Sequence, residues 1–413
     1  MSQRQQTFVI VGAGLAGAKA AEALRAKGFE GRVVLYGDER ERPYDRPPLS
    51  KEFLQGTTSR DNVFIHPRDW YSENDVELRL DTGIERVDRS THEVVAVDGS
   101  RIIYDKLLLA TGSSPRRLSV PGSDLDGVLY LRQLADAEAL KVALAAAARV
   151  AIVGAGWIGL ETAAAARATG VEVTVLEVAR LPLIGALGPE LAAAYADLHV
   201  AHGVDLRLGV HVEEIIGSEG KSAGVRLVDG TVIDADVVIV GVGITPNTSL
   251  AEDASLTVAN GVVVDQYLTT SDPDIFAAGD VASVYYPHLD AHLRLEHWAA
   301  ALNQGPAAAA NMLGHVTAYD RVPYFYSDQY DWGMEYSGYV PGGKADDVVI
   351  RGDLGTGTFI AFWMIDGRVK AGMNVNIWDV TDAIQALVRS DRAIDVRALE
   401  DPDLPLESVV PNE

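Results

Sequence analysis

The 413-residue chain contains no cysteine. That absence removes disulfides, cysteinyl iron–sulfur ligation, thiolate zinc sites and cysteine nucleophiles together. Aromatics are sparse at 7%, and 35 Lys and Arg stand against 59 Asp and Glu, a formal net charge of −24. A field of that sign makes nucleic acids and anionic membranes poor partners, and no Lys/Arg run offsets it locally. No apolar stretch reaches the roughly 18 residues that a membrane span requires. There is no Gly-x-Ser-x-Gly elbow for a serine triad. His288, His292 and His297 lie close together but lack HExxH spacing, so no metal is expected. The opening residues, Met1 to Gln6, are polar and lead straight into a strand, so the expected location is cytoplasmic.

What is present is ordinary globular composition, 48% hydrophobic and 23% charged, in a chain long enough for two or three domains. Thr7 to Val11 reads as a strand, Gly12-Ala13-Gly14-Leu15-Ala16-Gly17 as a glycine turn, and the alanine-rich stretch to about Lys27 as a helix. A second strand, Arg32 to Tyr36, completes a βαβ unit and ends at Gly37-Asp38-Glu39. The same pattern then recurs: strand Arg149 to Val153, turn Gly154-Ala155-Gly156-Trp157-Ile158-Gly159, helix Leu160 to Thr169, strand Val171 to Leu176, then Glu177. One internal copy at so long a spacing predicts an α/β chain with two doubly wound, Rossmann-like domains rather than a solenoid. Further strands are expected at Asp105 to Leu109, Asp236 to Val240 and before Gly279-Asp280. From Val322 the segments Tyr324 to Tyr339, Val348 to Arg351, Thr358 to Ile365 and Val369 to Asn374 predict an antiparallel sheet. Asp382 to Val388 reads as a helix, giving a C-terminal α+β domain, and Glu400 to Glu413 as a loosely held, acidic tail. The runs Ala143 to Ala148 and Ala307 to Ala310 are helix formers.

A GxGxxG turn works because its first glycine allows the tight turn, its second lets backbone approach a pyrophosphate, and its third lets helix pack on strand. The exposed amides and helix dipole then face the phosphates. A single match also arises for packing reasons alone, but here two copies each follow a strand and each precede a strand that ends near an acid. Asp38 and Glu177 are the residues expected to hydrogen-bond an adenosine ribose, and a carboxylate there would repel a 2′-phosphate. NADH is therefore expected over NADPH, with Arg180 the one nearby cation.

These residues, together with Tyr44-Asp45-Arg46-Pro47-Pro48-Leu49-Ser50-Lys51, Ala110-Thr111-Gly112, the block from Thr270 to Asp280, and Ser327-Asp328-Gln329, carry a resemblance over nearly the whole chain. The sequence resembles the FAD-dependent NADH:ferredoxin reductases, the group of putidaredoxin reductase and the ferredoxin reductases of biphenyl-type dioxygenases. The resemblance implies a discontinuous FAD domain, residues 1–112 and 245–321, an inserted NAD domain, 113–244, and a C-terminal domain, 322–413. It implies FAD contacts from Gly12, Gly14, Ala16, Gly17, Asp38, Arg46, Lys51, Ile84, Ala110, Thr111, Gly112, Arg132, Gly279, Asp280 and Trp298. NAD contacts would come from Gly154, Gly156, Trp157, Ile158, Gly159, Glu177 and Gly243. Trp298 also reads as a core tryptophan, and Trp157 equally as a packing residue. By pattern alone Lys51 is a surface residue and Glu161 a solvated helix position. The resemblance instead implies an ion pair beside the flavin, serving catalysis, where the lysine would stabilise the negative charge that hydride delivers and Glu161 would offset its burial.

Disulfide reductases share the two-fold architecture but work through a cysteine pair, and the related oxidases and peroxidases use one cysteine; this chain can do neither. The resemblance therefore implies a one-electron metal carrier as acceptor, a two-iron two-sulfur ferredoxin feeding a haem-thiolate monooxygenase or a Rieske dioxygenase. Such ferredoxins are acidic, so docking would need a local basic patch, for which Arg68, Lys344, Arg368 and Lys370 are available. Two alternatives stay open: a redox-signalling flavoprotein resembling apoptosis-inducing factor, and a reductase of another acceptor, rubredoxin or monodehydroascorbate.

Overall fold

The computed structural model describes residues 5–409. They form two compact units. One holds the residues up to Asp45 with Arg60–Ser114 and Thr245–Arg321; the other holds Arg46–Ser59, Pro115–Ile244 and the chain from Val322 onward.

The first unit is built on a five-stranded parallel sheet ordered Ile275–Ala277, Lys106–Leu109, Thr7–Val11, Arg32–Tyr36, Val76–Arg79. The five residues of Thr7–Val11 are all buried, as expected of a central strand covered on both faces. Helix Leu15–Ala26 packs on helix Trp298–Met312 through small residues. At Gly305 a Cβ would fall 2.3 Å from the Ala16 carbonyl oxygen, so that contact admits no side chain.

The second unit repeats this plan. Its parallel sheet runs Asp205–Leu208, Glu172–Glu177, Arg149–Val153, Val237–Val240, Val128–Leu129. The duplication extends further than the glycine turns. Each parallel sheet is interrupted at the same point by a three-stranded antiparallel meander, Ile84–Asp88 to Arg101–Ile103 in the first and Val212–Ser218 to Val232–Asp234 in the second. The helix after the second turn spans Trp157–Ala168, beginning three residues earlier than the sequence pattern places it, because Gly156 is already its N-cap.

The chain from Tyr324 forms the expected antiparallel sheet, ordered Tyr324–Gln329, Trp332–Gly338, Arg368–Val375, Thr358–Ile365, Asp347–Asp353, with helix Thr381–Ser390 against it. Its Trp332, Phe359 and Trp363 share one core with Leu187, Leu191 and Tyr195 of the second dinucleotide fold. The Trp363 indole N–H donates to the Leu187 carbonyl at 3.1 Å. That common core is why these two parts form a single unit.

The expectation of a loosely held tail is overturned over its described part. Leu399 and Leu406 are buried in the cluster beneath helix Thr381–Ser390. The buried Arg351 guanidinium donates to the Leu399, Pro402 and Leu404 carbonyls, tying the segment down. Acidic side chains face outward while the leucines between them reach the core, an alternation that overall acidity conceals. Residues 410–413 lie outside the described residues.

Candidate functional site

The two glycine turns are built alike. Gly12 and Gly154 sit at φ +115° and +107°, where a Cβ would fall 2.1 Å from the Ala110 oxygen and 2.4 Å from the Gly241 oxygen. Gly17 and Gly159 lie so close to their own turns that a Cβ would fall 2.0 and 2.1 Å from the Gly12 and Gly154 oxygens. The middle glycines differ in kind: at Gly14 and Gly156 a Cβ would meet nothing within 4 Å. Each is the N-cap of its helix, with no side-chain cap and no acid in the first turn. Two helix N-termini with open approaches and no acidic side chain in their first helical turns fit two pyrophosphates.

The two acids are not equivalent. Strand register pairs Val11 with Tyr36 and Val153 with Leu176, so the counterpart of Glu177 is Gly37, and Asp38 comes one residue later. A Cβ at Gly37 would fall 2.7 Å from that of Ala13, which accounts for the glycine. Glu177 instead binds its own turn, accepting from Ala155 N–H at 2.7 Å and Ala179 N–H at 2.8 Å. Asp38 is exposed.

Lys51 and Glu161, a surface position and a solvated one by pattern alone, are both buried. The lysine Nζ lies 2.9 Å from the Glu161 carboxylate. Ser50 Oγ and Ser327 Oγ donate to the two carboxylate oxygens at 2.5 and 2.7 Å. The 3₁₀ turn Pro47–Ser50 brings Lys51 in, helix Trp157–Ala168 supplies Glu161, and strand Tyr324–Gln329 supplies Ser327. Sequence reasoning did not find Ser50, Ser327, Gln329 or the buried His199 as participants. A signal existed for two of them, since strand alternation places Ser327 and Gln329 on the same face with Asp328 opposite.

The family model described as pyridine nucleotide-disulphide oxidoreductase matches residues 6–305, and one described as reductase C-terminal matches 324–410. The chain belongs to the pyridine nucleotide-disulphide oxidoreductase family. It is 41% identical to the anthranilate 1,2-dioxygenase system ferredoxin–NAD(+) reductase component of Burkholderia cepacia, over 97% of this chain and 98% of that one. It is 40% identical to rhodocoxin reductase of Rhodococcus erythropolis, over 90% and 86%. Among solved structures, the covalent putidaredoxin reductase–putidaredoxin complex matches with a TM-score of 0.94 at 35% identity, covering 98% of each chain. Members of this family use FAD and NAD(H). This member has no cysteine with which to exchange a disulfide.

The other residues that the resemblance implies fall as follows. In the first unit, Trp298 opens its helix and its indole donates to Asp45 at 2.8 Å. Thr111 and Gly112 are tied to Asn247 by three hydrogen bonds. Gly279, at φ +78°, lies against Ala16 and donates to Gln304, with Asp280 following. Ile84 begins a meander strand. In the second unit, Arg46 donates to the Arg132 carbonyl. Gly243, at φ +102°, accepts from Arg116 N–H. Trp157 makes edge contacts with Tyr195 and Phe325, at centroid distances of 5.7 and 5.2 Å, and Ile158 beside it is 47% exposed. Arg368 and Lys370 both converge on Asp391, at 2.8 and 2.5 Å, so two of the four candidate docking cations are already paired with an acid.

Proposed function

We propose that this chain is an FAD-dependent reductase that takes hydride from NADH and passes single electrons to a two-iron two-sulfur ferredoxin. The carrier would serve a haem-thiolate monooxygenase or a Rieske dioxygenase, in the cytoplasm. One observation carries the reading: two open phosphate-binding turns at equivalent places in a duplicated fold, in a chain that has no cysteine to receive the electrons.

The first turn, in a domain of residues 1–112 and 245–321, would hold FAD through the amides that follow Gly12 and Gly14, with Ala16 and Gly17 keeping the helix close. Asp38, Arg46, Ile84, Ala110, Thr111, Gly112, Arg132, Gly279, Asp280 and Trp298 would complete its contacts. The second turn, in a domain of residues 113–244, would hold NADH through Gly154, Gly156 and Gly159, with Trp157, Ile158 and Gly243 alongside. Residues 322–413 form the C-terminal domain. Glu177, oriented by two amides, would accept from the ribose hydroxyls and turn away a 2′-phosphate.

FAD, when bound, supplies two-electron acceptance from the nicotinamide and one-electron release. Lys51 is assigned to its reacting edge, where a fixed ammonium stabilises negative charge as it arrives. Glu161 holds that ammonium in place and offsets its burial.

Anaerobic titration with NADH, read by the visible flavin band, followed by addition of a two-iron two-sulfur ferredoxin, tests the reading. Bleaching and ferredoxin reduction are expected. Bleaching with no transfer to any ferredoxin tried, and transfer to rubredoxin instead, would overturn the acceptor assignment.

A further inference from the structure

A line of buried polar side chains leads away from Glu161. His199 is 0% exposed, Gln329 1% and Ser327 2%. His199 Nε2 lies 2.9 Å from Gln329 Oε1, Gln329 Nε2 lies 3.1 Å from Ser327 Oγ, and Ser327 Oγ lies 2.7 Å from Glu161 Oε1. At the far end, Tyr330 Oη lies 3.3 Å from His199 Nδ1 and its ring stacks on the more exposed His202. Interior polar groups cost stability unless paired, and apolar side chains of this size would fill the same space without that cost. The chain therefore has a use beyond packing.

Its direction is forced from the carboxylate outward. Glu161, paired with Lys51, accepts only, so the Ser327 hydroxyl must give its hydrogen to it. Ser327 must then accept from the amide nitrogen of Gln329, which turns Oε1 toward His199. His199 must carry its proton on Nε2, leaving Nδ1 bare to accept from Tyr330. Burial pushes this imidazole down to about 4, so it is neutral at working pH and can donate at one nitrogen while accepting at the other. Every donor points toward Glu161. The amide in the middle cannot pass a proton along without becoming an imidic acid, so the chain orients and polarises rather than conducts.

We propose that Ser327, Gln329 and His199 are positioning residues for the reductive half-reaction: they lock the Glu161 carboxylate in one orientation and so aim the Lys51 ammonium at the flavin. The proposal rests on the assignment of Lys51 to the reacting edge of the flavin. It names three residues outside the pair, carried on helix Ile184–Ala201 and strand Tyr324–Gln329.

The test is the flavin midpoint potential of the holoprotein by reductive titration, in wild type, Lys51→Met, Gln329→Leu, Ser327→Ala and the Lys51→Met/Gln329→Leu double variant. Lys51→Met is expected to shift the potential negative, and Gln329→Leu and Ser327→Ala to shift it the same way by less. Gln329→Leu should add nothing in the Lys51→Met background. Ser327→Thr, which keeps the hydroxyl, should restore the wild-type value. No shift in either Gln329→Leu or Ser327→Ala, or an undiminished shift in the double variant, would overturn the proposal while leaving Lys51 in its assigned place. No shift in Lys51→Met would overturn the assignment of Lys51 itself, and the proposal with it. Nitrogen-15 spectra of the histidine side chains provide a check that needs no turnover. A neutral His199 protonated on Nε2 is expected, and protonation on Nδ1 would reverse the chain and refute it.

Discussion

The Nζ of Lys51 lies 2.9 Å from a Glu161 carboxylate oxygen, and the two side chains are only 8% and 4% exposed. A pair this deeply buried seldom adds net stability over an apolar core, yet removing one partner strands the other. Its retention in a duplicated dinucleotide fold is therefore best explained by chemistry.

Lys51→Met should leave FAD bound, because the phosphate turns are untouched. Flavin reduction by NADH, followed by stopped-flow, should slow by about 100-fold, the usual effect of deleting a preorganised charge at a reacting centre. The stranded Glu161 should also lower stability by about 3 kcal/mol. Wild-type reduction rates in a flavin-replete variant would remove Lys51 from the chemistry.

Two glycines of the first turn should separate binding from folding. Gly14 has extended backbone and open space where its Cβ would be, so Gly14→Val should fold with nearly unchanged thermal stability but purify with little FAD. Gly12→Ala places a methyl group against the Ala110 carbonyl at positive φ and should damage the fold itself. Flavin-to-protein absorbance ratios and circular dichroism melting curves distinguish the two.

Glu177→Ala should raise KM for NADH by about tenfold, the loss of roughly one charged hydrogen-bond pair. It should also bring kcat/KM for NADPH closer to that for NADH. If wild type already preferred NADPH, Glu177 would not be the ribose ligand.

Stability should fall as pH is lowered from about 6.5. Burial pushes both His199 and His297 down to about 4 from an ordinary value of 6.5. Between those limits the unfolded chain binds more protons than the folded one, so the stabilisation present above 6.5 is lost as pH falls toward 4, on the order of 3 kcal/mol per imidazole. Urea denaturation midpoints between pH 7 and about 5.5 measure its onset, the lower limit staying about one unit above the ordinary carboxylate values. His199→Asn should flatten that slope by about half.

Arg351→Met should release the segment after Leu399, because three carbonyls lose their common donor. Limited proteolysis followed by mass spectrometry should show new cleavage between residues 400 and 409. An unchanged digestion pattern would mean that Leu399 and Leu406 hold the segment without it.

The sequence by itself determined the parts governed by local backbone chemistry. Glycine at positions 12 and 17, and again at 154 and 159, reports turns that only glycine can make, Gly14 and Gly156 leave the approach to each helix open, and apolar runs report parallel strands covered on both faces. The alternating segments after Tyr324 likewise reported their sheet, since side-chain period is a local property. The tertiary structure decided what depends on contact between distant segments. Nothing near Lys51 in sequence signals that its charge is buried, because its partner is on another helix and that partner's own donors are on a 3₁₀ turn and a C-terminal strand. The same holds for the inequivalence of Asp38 and Glu177, which emerges only from strand register, and for His199, whose burial comes from the C-terminal sheet sharing a core with the second dinucleotide fold. Conformational preference is written residue by residue, whereas burial and pairing of charge are properties of the assembled core.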